Sequence, residues 1–140
     1  MAELNIIEKV IALEAVDLLK NLSAEQLSRI ASIAKEVRYP PGKLILAADS
    51  APDALYVVLE GSVSVARDGI ELHVAQENEV LGAWALFDPE PMSVTAKTIE
   101  HARVLSIGRE DFYDLLSDNT EITASIFATL VKRFRKLVER

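Results

Sequence analysis

The sequence has no cysteine, no long apolar run and fewer bases than acids, and each of these shortages excludes a class of protein. Without cysteine the chain forms neither a disulfide framework nor a thiolate site, which fits a reducing compartment and predicts a cytoplasmic location. The 15 bases and 22 acids give a net charge of -7, which argues against general nucleic-acid binding. No apolar run approaches the ~20 residues of a membrane span, and the N-terminus lacks the basic start and apolar block of a secretory signal.

The charge is unevenly distributed along the chain. From Asn119 onward five bases stand against two acids, a net charge of +3, so the preceding residues carry -10. This basic cluster contains Lys132, Arg133, Arg135 and Lys136. Such a cluster suits the solvated C-terminal end of a helix, where cations interact favourably with the helix dipole. It equally suits docking against an acidic surface, on a second copy or on a partner.

Apolar residues recur at helical spacing in the first part of the chain. Residues 4–19 predict one amphipathic helix. A second helix is predicted to begin at Ser23, because Gln26 three residues later completes a capping box. The Pro-Pro-Gly turn at residues 40–42 ends the helical region, so residues 1–39 are assigned to N-terminal helices.

Between residues 40 and 107 the pattern changes to short apolar and β-branched runs separated by turns. Asp68 and Gly69 lie between two alternating runs and predict a tight hairpin. Strands with turns at such short intervals favour a β-roll or jelly roll (a double-stranded β-helix) over a parallel sheet. The fold class is therefore mainly β with flanking helices.

Two helices are predicted in residues 108–140, a short one over residues 109–116 with Gly108 as its cap and a long one that begins at residues 119–120. The long helix has a continuous apolar stripe over about five turns. We expect this stripe to be buried against another helix, either residues 4–19 of the same chain or a second copy. The candidate interface residues are Ile126, Leu130, Phe134 and Leu137.

The stretch that carries the most chemical information is residues 82–96, Gly-Ala-Trp-Ala-Leu-Phe-Asp-Pro-Glu-Pro-Met-Ser-Val-Thr-Ala, which we call the cassette. It predicts a tight turn, one short helical turn, a second turn and a strand. Glycine permits close approach of a ligand, and the first N–H groups of a short helix can cradle a phosphate. The candidate ligand-binding residues are Gly82, Ala83, Trp84, Ala85, Leu86, Met92, Ser93, Val94 and Thr95.

This stretch resembles the phosphate-binding cassette of the cyclic nucleotide-binding domain family, and the order of elements resembles that family along nearly the whole chain. The resemblance implies a single domain, with N-terminal helices over 1–39, a β-roll over 40–107 and C-terminal helices over 108–140. It also implies a turn at Asp49, where the family usually has glycine and where aspartate tolerates the left-handed backbone conformation. In the family the long helix either forms a dimer coiled coil or closes over the ligand.

Two cassette residues depart from the family's pattern. Ala83 stands where the family has the glutamate that holds the ribose hydroxyl, and Met92 where it has the arginine that pairs with the cyclic phosphate. Loss of both contacts should cost at least ~3 kcal/mol of binding free energy. From Gly61 to Asp118, four bases and eleven acids add a net charge of -7 around the expected pocket. Met92 would then fill the pocket as an apolar plug.

These observations predict a non-catalytic regulatory or interaction module that does not bind cyclic AMP or cyclic GMP in the usual mode. The alternative is a sensor for a cyclic nucleotide or another small ligand with altered specificity, in which Trp84 could stack on a base and the C-terminal helices would transmit the signal. His73 and His101 lack the spacing of a metal site, and no nucleophile is paired with a base. We therefore predict no enzyme activity, no metal and no cofactor. No helix-turn-helix follows the long helix, so no DNA-binding half is expected in these residues.

Overall fold

The computed structural model of the chain describes residues 4–82, 86–88 and 93–139. Within these ranges four α-helices flank eight β-strands, and a 3₁₀ turn spans Asp17–Leu19. The α-helices are α1 (Ile6–Leu13), α2 (Ala24–Ala31), α3 (Arg109–Asp118) and α4 (Thr120–Val138). The strands are β1 (Lys35–Tyr39), β2 (Leu44–Leu46), β3 (Ala54–Glu60), β4 (Val63–Arg67), β5 (Ile70–Ala75), β6 (Val80–Leu81), β7 (Thr95–Thr98) and β8 (Ala102–Gly108).

The strands form two four-stranded antiparallel sheets that pack as a β-roll. The first sheet has the order β1-β8-β3-β6 and the second has the order β2-β7-β4-β5. Strand β3 contributes to both faces of the first sheet, because Leu55 and Val57 point to the helices whereas Tyr56 and Val58 point into the roll. The predicted fold class, a β-roll with flanking helices and a long C-terminal helix, is confirmed.

A large core lies between the first sheet and the helices, and a smaller core fills the roll. Buried residues of all four helices pack against Leu55, Val57, Leu105 and Ile107 of the first sheet. The small core consists of Leu46, Val58, Val63, Ala75, Leu81 and Ala96. Both sheets contribute to the small core, so it holds them together.

The N-terminal region differs from the prediction at two places. The single helix predicted for residues 4–19 is wrong, because α1 ends at Leu13 and the 3₁₀ turn follows only after a break. At the break Val16 takes an extended backbone conformation and buries its side chain in the large core. The assignment of residues 1–39 to helices is also wrong, since Lys35–Tyr39 pairs with β8 along its whole length. The capping box between Ser23 and Gln26 is confirmed.

Backbone conformation confirms two predicted turns. Asp49 has a φ of 67°, which is the left-handed conformation expected for this turn. Asp68 and Gly69 have φ values of 52° and 81° between the paired strands β4 and β5, as a two-residue hairpin loop requires.

Glu36 ties the N-terminus to the first sheet. Its side chain is 4% exposed and accepts hydrogen bonds from the Leu4 N–H at 3.3 Å and from Arg38 Nε at 3.0 Å. Arg103 Nη1 of β8 lies 3.4 Å from the same carboxylate. Burial raises the pKa of Glu36, but the hydrogen bonds from Arg38 and Leu4 and the charge of Arg103 lower it overall. The carboxylate is therefore held in its charged form.

Gly61 and Gly69 offer a matched test of turn geometry. Both have positive φ, 93° and 81°, but a Cβ on Gly61 would meet the His101 carbonyl oxygen and approach Ala102 Cα to 2.9 Å, whereas nothing lies within 4 Å of one on Gly69. We expect Gly61→Ala to lower the free energy of unfolding by roughly 3 kcal/mol, because backbone strain adds to a steric clash. Gly69→Ala should cost only about 1 kcal/mol, from backbone conformation alone. Urea unfolding measures both, and equal losses would contradict the assigned clash.

Candidate functional site

The cassette connects β6 of the first sheet to β7 of the second. It leaves β6 at the edge of the first sheet and enters β7, which lies between β2 and β4 in the second sheet. Gly82 begins the crossing with a φ of 71°, a conformation that favours glycine. Of the candidate ligand-binding residues, Gly82, Leu86, Ser93, Val94 and Thr95 are described, whereas Ala83, Trp84, Ala85 and Met92 lie outside the described residues. The short cassette helix predicted there, and the roles of these four side chains, stay predictions.

The middle of the cassette packs against the helices. Leu86 is 3% exposed and belongs to the large core. Phe87 contacts Phe112 of α3 edge to face, with ring centroids 5.9 Å apart and an angle of 83° between the ring planes. Because Phe112 is fully buried, a displacement of this part of the cassette would also displace Phe112 and with it α3.

Arg109 forms a second connection between the cassette and the helices. Its guanidinium Nη2 donates to the carbonyl oxygen of Asp88 at 3.3 Å and also to that of Pro52, which precedes β3. Its backbone N–H donates to the Asp53 carbonyl at 2.8 Å. Since Arg109 is the first residue of α3, one side chain links the cassette, the β-roll and the start of the C-terminal helices.

The end of the cassette lies beside the β4–β5 hairpin, where a basic residue was missed by sequence reasoning. Arg67 Nη2 donates to the Ser93 hydroxyl at 3.3 Å. Thr95 Oγ1 donates to the Ala66 carbonyl at 3.4 Å, in register with the pairing of β4 and β7. Val94 is half-buried between them. Arg67 and Ser93 are 26 positions apart, so only the pairing of two non-adjacent strands brings a guanidinium to the cassette.

Tyr56 and Glu79 have pKa values that deviate from their ordinary ones. Burial raises the pKa of Tyr56 to about 12, with smaller contributions from Tyr39 and Asp53. His73, which has no partner at metal-ligand spacing in the sequence, pairs with Glu79 at 2.5 Å, and this hydrogen bond lowers the pKa of the Glu79 carboxyl. This hydrogen bond links β5 to the residue that precedes β6 at the surface of the roll. No group of three or more His, Cys, Asp or Glu residues with the geometry of a metal site occurs within the described ranges.

The long helix α4 divides its apolar stripe between the core and solvent. Ile122 and Ile126 are buried in the large core together with residues of α1 and the 3₁₀ turn, which confirms intramolecular burial for the first half. Ile126 is therefore unavailable for an interface with another chain. Leu130 is half-buried against the same core, whereas Phe134 and Leu137 are 66% and 65% exposed.

Comparison with known proteins assigns the family. The family model described as "Cyclic nucleotide-binding domain" matches residues 36–119, which include β1 except its first residue, strands β2 to β8, the cassette and α3. The chain belongs to the cyclic nucleotide-binding domain family. The match begins at β1, the strand that the sequence patterns alone did not reveal.

Two relatives of this cyclic nucleotide-binding domain are regulatory proteins. Over 117 residues it is 29% identical to a CRP-like cAMP-activated global transcriptional regulator of Mycobacterium tuberculosis, covering 78% of this chain and 52% of the regulator. Over 114 residues it is 32% identical to a cAMP-dependent protein kinase regulatory subunit of Aspergillus niger, covering 79% of this chain and 27% of the subunit. The chain thus spans about half or less of the length of these relatives.

A solved structure agrees with the domain along most of its length. The N-terminal domain of a transcriptional regulator from Streptomyces coelicolor superposes with a TM-score of 0.82 at 26% identity, covering 91% of this chain and 93% of that domain. Among the described residues, no helix combines the length and apolar character needed to cross a bilayer.

Proposed function

We propose that this chain is a non-catalytic regulatory or interaction module that does not bind cyclic AMP or cyclic GMP in the mode usual for its family. The observation that supports the proposal is the pair Ala83 and Met92, at the positions where the cassette pattern has glutamate and arginine. An alanine methyl group accepts no hydrogen bond from a ribose hydroxyl, and a thioether does not neutralise a phosphate. We propose further that residues 1–140 act as one module, in the cytoplasm, as the absence of cysteine suggests.

The electrostatic field also supports weak nucleotide binding. The segment from Gly61 to Asp118, which carries strands β4 to β8 and the cassette, has a net charge of -7. An anionic ligand that approaches the cassette meets this negative field without the arginine that would compensate it.

The exposed half of α4 supports an interaction role. Phe127, Val131, Phe134 and Val138 are 54–66% exposed and repeat with spacings of four, three and four residues. This is the spacing of the a and d positions of a coiled coil. We propose that this face pairs with α4 of a second copy, so that the module is a homodimer.

The alternative, a sensor with altered specificity, is favoured by one contact. Arg67 reaches Ser93 at the end of the cassette and could supply the positive charge that Met92 does not. In that case the contacts Phe87–Phe112 and Arg109–Asp88 would carry a cassette movement to α3 and α4.

Titration calorimetry of the unmodified chain with cyclic AMP, cyclic GMP and a cyclic dinucleotide separates the two functions. We expect none of these ligands to bind with a dissociation constant below ~10 µM. A dissociation constant well below that value for one ligand would support the sensor and overturn the proposal. If Arg67→Gln then abolished that binding, the compensating charge would be identified. The control is Lys35→Gln, which removes an exposed cation from β1 in the first sheet.

A further inference from the structure

We propose that a cationic cleft between the 3₁₀ turn and the end of α4 binds a small anion that carries two or more phosphate groups. The cleft has a volume of about 380 Å³ and is lined by Lys20, Asn21, Thr129, Lys132, Arg133, Arg135, Lys136 and Glu139. It is formed by different elements from the cassette, and the proposal does not depend on whether the cassette binds a nucleotide.

The walls of the cleft are held in place by contacts between its two sides. Asn21 Nδ2 donates to Thr129 Oγ1 at 2.8 Å, and Thr129 Oγ1 donates to the Ser125 carbonyl at 3.1 Å. Thr129 is 1% exposed, so this contact forms a fixed polar floor. An ion pair between Arg133 and Asp17 joins the same two elements at the rim. A ligand would therefore enter a shape that already exists, which reduces the entropy cost of binding.

The positive charge of the cleft is only partly neutralised by its own acids. Asp17 is shared by Arg133 and by Lys20 at 3.8 Å, and Glu139 lies 3.5 Å from Arg135. Within the described parts of the chain, Lys132 and Lys136 have no ion-pair partner. The cleft thus has five cations and the two acids Asp17 and Glu139, which leaves about three positive charges. By contrast, the first 118 residues of the chain carry a net charge of -10.

The dipole of α4 does not by itself explain why Lys132 and Lys136 occupy these positions on the helix. Cations gain from the helix dipole within the last turn, whereas Lys132 lies six residues before the end of α4 at Val138. Lys132 and Lys136 are also one turn apart, where two like charges repel. An anion bound between the two lysines would remove this repulsion. Because a single phosphate would leave part of the positive charge of the cleft uncompensated, an oligophosphate fits the cleft best.

The cleft stays accessible in the proposed dimer. Lys132 and Lys136 are each two residues from Phe134, which places them roughly 160° around the helix from it at 100° per residue. Pairing through Phe134 therefore leaves the cationic side of α4 facing away from the second copy.

The test is calorimetric titration of the full chain with sodium tripolyphosphate at physiological ionic strength. We expect saturable binding of one anion per chain and at least ~tenfold weaker binding by K132Q/K136Q. The control is K35Q/K43Q, which makes the same change in net charge at exposed lysines outside the cleft, and it should bind like the unmodified chain. Equal weakening by both double variants would indicate general charge attraction and overturn the site.

Chemical-shift mapping on the unmodified chain provides a readout that does not depend on the variants. Amide shifts caused by tripolyphosphate should cluster at Lys20, Asn21, Thr129 and Lys132. Shifts centred on Gly82 and Thr95, or the absence of saturable shifts, would overturn the proposal. Binding to phosphatidylserine vesicles without binding of tripolyphosphate would assign the lysines to a membrane surface and would also overturn it.

Discussion

Phe134→Glu is expected to convert a homodimer of this chain into a monomer. Phe134 is 66% exposed in the single chain and lies at the centre of the face formed with Phe127, Val131 and Val138. Burial of one such side chain contributes about 1.5–3 kcal/mol, and two-fold symmetry doubles the contribution. Replacement by a carboxylate also places two negative charges opposite each other. The dissociation constant of the dimer should therefore rise at least ~100-fold.

Analytical ultracentrifugation over a range of concentrations measures this change. The matched control is Ile70→Glu, since Ile70 is 68% exposed but lies on the β4–β5 hairpin rather than on α4. It makes the same chemical change and should leave the dimer intact. Leu130→Glu is a less specific test, because Leu130 packs against the large core and its replacement would also destabilise the fold. A chain that sediments as a monomer at every concentration would contradict the dimer.

The double change Ala83→Glu with Met92→Arg is expected to strengthen binding of cyclic AMP at least ~100-fold, if only these two groups are missing. The glutamate would accept a hydrogen bond from the ribose hydroxyl, and the arginine would offer two parallel charge-assisted hydrogen bonds to the phosphate. Calorimetric titration of the double variant beside the unmodified chain measures the gain.

Met92→Lys combined with Ala83→Glu is the control for this gain. Lysine restores the positive charge but lacks the planar fork of arginine, so it should recover only part of the affinity. A full recovery with lysine would mean that net charge, rather than bidentate geometry, limits binding. No gain with arginine would contradict the hypothesis that the missing pair is sufficient, and it would point to a pocket filled by other side chains.

The features that were correctly predicted from the sequence depend on contacts between neighbouring residues. The capping box of Ser23 and Gln26 spans three residues, and the hairpin at Asp68 and Gly69 needs two residues with positive φ. Such features follow from local hydrogen bonds and backbone sterics, so residue type and spacing are sufficient evidence for them. The long apolar stripe of α4 was also recognised, because helical periodicity is a local property of the chain.

The features that were missed depend on partners far away in the sequence. The residues of strand β1 alternate only weakly between apolar and polar, and the strand is half-buried. It forms a strand because β8, more than 60 residues later, supplies its hydrogen bonds. The helix predicted over residues 4–19 breaks at Val16 because the core offers that side chain a buried site. The contact of Arg67 with Ser93 arises only when β4 pairs with β7.

By itself, the sequence determined the family resemblance, the order of the strands and C-terminal helices after residue 40, and the absence of the glutamate and arginine from the cassette. These depend on which residues are present. Tertiary structure alone decided which half of the α4 stripe is buried and that Lys20 and Asn21 meet Lys132 and Lys136 in one cleft. The physical reason is that burial and concave shape are created when distant elements pack together, and no local pattern encodes the distance between them.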